Sequence, residues 1–294
     1  MGVAGVNVID ADPATKVARE SRQQEVEVSV VVPAYNAARY LAETIASVLA
    51  QQGVQLELLV VDDCSTDDTA TLVQAAAARD ARVRYLRTPT NCGGPAGPRN
   101  HGVQAARGRW VALCDADDLW HPSKLRLQID LAQREGADLV CSAIEDFTDG
   151  DSPALPGQAL PAQWASQCLP YWQMLLKNRI ANSSVLCRCE ALQQGGGFET
   201  ARELIAVEDY DLWLRLMERR GFKVLRIEVP LVAYRRMANS LSASKWRMAL
   251  KVIRVTRRAA ERGGWRWAYP LALPLIFVGY GAMSLYWRVL RGRL

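Results

Sequence analysis

An open, mostly parallel sheet covered by helices on both faces is predicted for this chain by three observations. Apolar strand-like runs recur at regular spacing, helical periodicity fills the intervals, and carboxylates cluster where the strands end. The 294 residues, 50% hydrophobic and 23% charged, suffice for a sizeable core, which excludes disordered and fibrous classes.

Val26–Val32 alternates and then runs continuously apolar, as a strand entering the centre of a parallel sheet does, and Pro33 closes it. Leu41, Ile45, Val48 and Leu49 have helical spacing within 37–51, and Leu56–Val61 is a second buried strand stopped by Asp62 and Asp63. Ser65 with Asp68 fits a capping box for a helix reaching Arg79. Strand Val83–Arg87, a Gly/Pro loop, helix Pro98–Ala106, strand Arg109–Cys114, helix Ser123–Arg134 and strand Asp138–Ile144 continue the alternation. Glu145–Pro161, acidic and Pro-containing, reads as a long surface loop. Helix Trp164–Lys177, strand Ser183–Cys189, helix Val207–Arg220 and strand Lys223–Val229 follow.

In sheets of this class ligands bind outside the carboxyl ends of the strands. Those ends carry Pro33-Ala34-Tyr35-Asn36, Asp62-Asp63 and Asp115-Ala116-Asp117-Asp118. Seven cysteines, an odd number with no C-x-x-C pair, argue against a disulfide framework or a zinc site and for a reducing compartment. His101 and His121 are the only histidines, so a metal would be held by carboxylates, which selects Mn²⁺ or Mg²⁺. Residues 1–24 read as a flexible leader lacking the apolar run of a signal peptide.

Six segments taken together resemble the inverting, nucleotide-sugar-dependent glycosyltransferases of family 2, which have the GT-A fold. They are Val-Val-Val-Pro-Ala-Tyr-Asn (30–36), Val-Asp-Asp-Cys-Ser-Thr-Asp (61–67), Asn91 and Gly93 with Arg99-Asn100, Asp-Ala-Asp-Asp (115–118), Gly-Gly-Phe (196–198) and Glu-Asp-Tyr-Asp-Leu-Trp (208–213). The resemblance implies a glycosyltransferase domain over residues 25–244, with a nucleotide-binding half (25–118) and an acceptor-binding half (119–244). It further implies nucleotide contacts from Pro33, Ala34, Tyr35, Asn36, Asp63, Arg99, Asn100 and Asp115, a divalent metal at Asp115 and Asp117, and a catalytic base in the Glu208-Asp209 pair. The implied donor is a UDP-sugar and the implied acceptor a glycan or lipid-linked hydroxyl. Cys64 and Pro98 stand where relatives commonly have Gly and Ala, and Met237 where many have His.

The residues support these roles on their own chemistry. A departing diphosphate needs a cation to offset its charge, and carboxylates two apart on an extended segment, Asp115 and Asp117, point to the same side. Asp63 suits ribose hydroxyls or a base N–H, and Arg99, after a Gly-rich turn, suits phosphate. An acceptor hydroxyl must lose its proton to a carboxylate on the face opposite the leaving group, and Asp209 or Glu208 is the available supply. The aromatics Trp164, Tyr171, Trp172 and Trp213 read as core more than as sugar platforms.

The charge is distributed unevenly. Residues 245–294 hold 11 Lys+Arg against one Glu, a net of +10, leaving −5 for residues 1–244. Trp267–Trp287 then runs 21 residues without a charge. A basic amphipathic stretch joined to an apolar run predicts an anchor on the cytoplasmic face of a membrane, peripheral, re-entrant or single-span, and argues against nucleic acid as partner. The competing class is a catalytically silent sugar-nucleotide-binding module, against which both acidic pairs speak.

Overall fold

The computed structural model describes residues 26–149, 151, 159–237, 245–271, 273, 274 and 278. Among them nine strands form one sheet: β1 (Val28–Ala34), β2 (Leu56–Asp62), β3 (Val83–Arg87), β4 (Trp110–Leu113), β5 (Leu119–Trp120), β6 (Leu139–Phe147), β7 (Ser166–Cys168), β8 (Leu186–Arg188) and β9 (Val224–Arg235). The helices are α1 (Leu41–Leu49), α2 (Thr69–Arg79), α3 (Ala96–Ala105), α4 (Lys124–Glu135), α5 (Tyr171–Leu176), α6 (Cys189–Gln194), α7 (Glu208–Met217) and α8 (Lys245–Arg262).

The strand order is β3-β2-β1-β4-β8-β6-β9-β5, with β7 on β9. Through β4 every pair is parallel, as the alternation predicts. Beyond β4 the expectation of a mostly parallel sheet is corrected: β4·β8, β6·β8, β5·β9 and β7·β9 are antiparallel, and β6·β9 is parallel. These pairings join residues far apart in sequence, so local periodicity carries no sign of strand direction. Two further elements differ from the periodic reading. Part of the predicted helix 164–177 is strand β7, leaving only α5, and β6 runs on to Phe147 into the segment read as loop. Of the remainder of that loop, residues 150 and 152–158 lie outside the described residues.

Strand alternation divides the core between the two faces. Val30, Val32, Leu58 and Val60 face α1 and α4 through Leu41, Ile45, Val48, Leu125 and Ile129. Val31, Leu59, Val61, Val111 and Leu113 face the other layer, built from Val103, Leu212, Trp213 and Leu216. A methyl group at Gly102 would lie 2.4 Å from the Val31 side chain, so α3 approaches the sheet as closely as it does only with glycine there. Trp213 is core, while Trp172 is exposed.

The strand order turns back between β1 and β4, and their pairing ends at Val31 opposite Leu113. Past that point β1 continues to Ala34 beside β2 alone. The two strands therefore part and open a crevice at the switch point, where ligands sit in sheets of this class. Pro33 is tolerated in a central strand because its β4 side is already unpaired.

The basic segment does not stand apart from the domain, which corrects the expectation for its first part. In α8, Val255, Thr256, Ala259 and Ala260 are fully buried, and the helix packs on α7. Arg258 and Arg262 reach Asp211, which is buried in α7, at 3.4 and 3.3 Å, and Arg262 pairs with Glu218 and Arg258 with Glu199. Lys251 and Arg254 donate to the carbonyls of Ile205 and Glu203. Much of the local positive charge thus answers carboxylates and carbonyls of the domain. Among the described residues no helix is long and apolar enough to cross a membrane. Most of the 267–287 run lies outside the described residues.

Candidate active site

A cavity of about 890 Å³ opens at the crevice between β1 and β4. Pro33, Ala34 and Tyr35 line it from the end of β1, Asp63 from beyond β2, Asp115 and Asp117 from beyond β4, Arg99 from α3, and Glu208 and Asp209 from the start of α7. Seven chain segments converge there, counting the 177–182 segment and the end of β9 with those just named.

Asp63 is buried and held rigidly: one oxygen accepts from Thr88 Oγ1 at 2.7 Å, and both lie 3.0 Å from the Cys92 amide. The backbone beyond β2 explains one departure from the family pattern. Cys64 has φ +62°, a left-handed conformation that glycine adopts freely and cysteine at a cost of about 1 kcal/mol. The capping box did not form. Asp68 makes no side-chain cap bond, and Ser65 instead accepts from the Asn36 amide and donates its own amide to Asp62.

Asp115 and Asp117 both face the cavity, as their spacing predicts. Asp115 accepts from Arg99 at 2.7 Å and from Asn182, and its amide donates to Ser183 Oγ. Burial, and then the charge of Asp115, push the Asp117 carboxyl up to about 6. Two crowded carboxylates in a half-buried place fit a hard divalent cation, which needs only one or two carboxylates when substrate phosphates and water complete its shell. Among the described residues no group of three His, Cys, Asp or Glu side chains forms a metal site. Tyr234 lies close enough to Asp115 and Asp118 that burial and their charges hold its hydroxyl above the usual range.

Arg99, expected at phosphate, lines the cavity and is engaged there by carboxylates of the chain itself. It is 4% exposed and bridges two carboxylates, Asp115 at 2.7 Å and Glu208 at 2.6 Å. Burial opposes its charge, but Asp115 and Glu208 outweigh burial and hold it protonated. Asn36 and Asn100, expected at the nucleotide, are absent from the cavity lining among the described residues and act as clamps. Asn36 accepts from the Thr66 amide, while Asn100 donates to the carbonyl and accepts from the amide of Phe198. The second clamp needs Gly197, at φ +69°, where a methyl group would lie 2.6 Å from Asn100 Oδ1.

Glu208 and Asp209 differ in environment although adjacent. Glu208 is buried and tied to Arg99. Asp209 accepts from the Tyr210 amide at 2.7 Å and lies 3.5 Å from the Asn178 amide nitrogen. Burial, reinforced by Glu208 and opposed by Arg99, pushes the Asp209 carboxyl up to about 7. The left-handed Ala206, φ +72°, turns the chain into α7, and Lys251 of α8 braces the carbonyl just before it. Lys177, Asn178, Arg179, Asn182, Arg226 and Arg236 also line the cavity and were not singled out from sequence. Their signal was the polar run Lys177-Asn178-Arg179 following a helix, unreadable as a site until the fold brings it beside α7.

The family model for glycosyl transferase family 2 matches residues 29–193, and the chain belongs to that family. It is 38% identical over 186 residues to the succinoglycan biosynthesis protein ExoO of Rhizobium meliloti, covering 58% of this chain and 53% of that protein. It is 29% identical over 224 residues to the UDP-Glc:alpha-D-GlcNAc-diphosphoundecaprenol beta-1,3-glucosyltransferase WfaP of Escherichia coli, covering 76% and 83%. Two solved structures share the fold. S. aureus TarS in complex with UDP-GlcNAc has a TM-score of 0.63 at 19% identity, over 80% of this chain and 66% of that one. The Pyrobaculum calidifontis mannosyltransferase PcManGT, in complex with GDP-Man and Mn²⁺, has 0.60 at 19%, over 90% and 76%. The fold is GT-A-like, a mixed sheet flanked by helices. The chain spans about half the length of ExoO and about two thirds of the TarS chain.

Proposed function

We propose that this chain is an inverting glycosyltransferase that moves a sugar from a UDP-sugar to a hydroxyl of a glycan or lipid-linked acceptor in polysaccharide or glycoconjugate synthesis. One observation carries the reading: Asp63, Asp115 and Asp117 from the nucleotide half share a cavity with Asp209, whose carboxyl is poised near neutrality. The UDP-linked names of WfaP and the TarS complex support the choice of donor.

In this reading Pro33, Ala34 and Tyr35 seat the nucleotide and Asp63 accepts from its base or ribose. Asp115 and Asp117 hold Mn²⁺ or Mg²⁺, which when bound offsets the charge developing on the diphosphate. Asp209 takes the proton of the acceptor hydroxyl as its oxygen bonds to the anomeric carbon and the bond to the diphosphate breaks from the opposite face, inverting the configuration. A carboxyl near 7 suits a base at neutral pH, because it is ionised yet still basic. Glu208 is unsuited, since its Oε1 is held by Arg99. Glu208 and Arg99 are positioning residues that link the metal-side Asp115 to the start of α7. We also assign the enzyme to a membrane surface, supported by the exposed Leu250, Trp267, Leu271 and Val278 in a segment rich in arginine.

The test is a screen of nucleotide sugars for hydrolysis and transfer with Mn²⁺ present, followed by Asp209→Asn. Losing a positioned base costs about 10²–10⁴ in rate, with nucleotide affinity kept. The wild-type rate should rise with pH through about 7, because in this reading the working form of Asp209 is the carboxylate. Wild-type turnover by Asp209→Asn, or loss of turnover in Glu208→Gln alone with donor affinity retained, refutes the assignment.

A further inference from the structure

We infer that Arg235, at the end of β9, is a positioning residue for the divalent cation: it clamps the main chain of the 115–118 segment and so fixes where the Asp117 carboxylate stands relative to Asp115. This rests on the metal reading given above and deepens it, by naming a residue of the other half of the sheet that sets the affinity of a cation it does not touch.

The sheet itself brings Arg235 to this place. Strand β5 pairs antiparallel with β9, Leu119 opposite Ala233 and Trp120 opposite Val232. Continuing that register by two residues sets Arg235 opposite Asp117. There its Nε donates to the Asp117 carbonyl at 3.0 Å, and its main-chain amide donates to Asp118 Oδ1 at 3.0 Å. The neighbouring residues are fixed as well. Thr44 of α1, fully buried, donates to the Ala116 carbonyl at 2.9 Å, and the Asp118 amide donates to the Asp115 carbonyl at 3.3 Å.

The guanidinium is held too firmly to be an incidental contact. It is 7% exposed, and its two remaining nitrogens donate to Asp149 and Glu43 at 2.9 Å each. Its carbon lies 4.3 Å from the centre of the Tyr40 ring and 4.5 Å from that of Phe147. All three nitrogens are thus engaged in one plane, a fan that arginine offers and the single ammonium of lysine does not. Glu43 and Asp149 also offset its charge, which would otherwise oppose a cation bound beyond Asp117.

The two carboxylates of the metal reading are therefore aimed by different halves of the molecule. Asp115 is set by side-chain partners, Arg99 from α3 and Asn182. Asp117 is set through its main chain by β9 and, one residue earlier, by α1. A small hard cation tolerates little change in the separation of its oxygens. Groups that orient metal ligands from behind typically account for about tenfold to a hundredfold in metal affinity.

The experiment measures Mn²⁺ binding to the full chain in the presence of UDP, from the loss of the free-ion signal in electron paramagnetic resonance. Arg235→Lys keeps the charge that balances Glu43 and Asp149 but cannot serve all three oxygens, and Thr44→Val removes the bond to Ala116 at nearly constant shape. Arg235→Lys is expected to weaken Mn²⁺ by about tenfold and Thr44→Val by less, while UDP affinity in EDTA stays unchanged and reports that each variant is folded. In turnover, the Mn²⁺ concentration for half-maximal rate should rise in parallel, with the rate at saturating Mn²⁺ retained. Arg84→Lys is the control for general softening: Arg84 also pairs with a buried carboxylate, Glu57 at 2.6 Å, and bonds the Ala105 carbonyl, but at the opposite end of β2 from the cavity. Unchanged Mn²⁺ affinity in Arg235→Lys overturns the inference, as does an equal loss in Arg84→Lys. If wild type with UDP binds no Mn²⁺, the metal reading of Asp115 and Asp117 falls and this inference with it.

Discussion

Replacing Arg99 with Met removes the one side chain that joins Asp115 to Glu208, and the cost can be worked from the geometry. Arg99 is 4% exposed and Glu208 3%, so neither has water to fall back on. The two contacts are 2.7 and 2.6 Å, and Glu208 Oε2 already lacks a hydrogen-bond partner. Asp115 keeps Asn182 and is 29% exposed at its side chain, so it can be partly re-solvated. The loss therefore falls on Glu208. Breaking a buried pair by removing one partner costs about 3–5 kcal/mol, a large share of the ~5–15 kcal/mol that holds a domain folded. Urea unfolding at pH 8 followed by tryptophan fluorescence should show a lower midpoint with an unchanged slope. Adding Glu208→Gln to the variant removes the stranded charge and should recover about 1–3 kcal/mol. A loss below about 1 kcal/mol, or no recovery in the double variant, refutes the reasoning.

Calorimetric titration of UDP should show binding that weakens at least tenfold when EDTA removes Mn²⁺ or Mg²⁺, and Asp117→Ala should be weak with or without metal. Equal affinity in all conditions would remove Asp115 and Asp117 from metal binding. The full chain should float with vesicles containing phosphatidylglycerol but not with pure phosphatidylcholine, and release near 0.5 M salt, where screening shortens the reach of the arginines to about 4 Å. Flotation independent of lipid charge would refute a contribution from the basic segment.

Much of the first half of the sheet was legible in the residue order. Strands β1 to β4 and their helices announce themselves by period, because burial on one face or two dictates apolar spacing within a few residues. The parallel order then places Asp63, Asp115 and Asp117 at strand ends, and hence at the crevice. What period cannot carry is the identity of a partner. Arg99 looks like a phosphate ligand from its Gly-rich surroundings, yet its charge answers Asp115 and Glu208, 16 and 109 residues away. Asn36 and Asn100 look like nucleotide ligands from their motifs and serve as backbone clamps.

The same limit applies beyond the site. Lys124 opens α4 and is fully buried over the Trp120 ring, where burial pushes its amine down to about 7, although lysine is a residue type that is rarely buried. The arginines of α8 read as a surface-seeking stripe until Asp211, buried in α7, is seen to gather two of them. Sequence spacing decides which side of an element turns inward, and so the class of the fold and the rough place of its carboxylates. Which charge meets which, and therefore whether a cation is a ligand, a bridge or a brace, was decided only when the antiparallel half of the sheet carried α7 and the 177–182 segment to the mouth of the crevice.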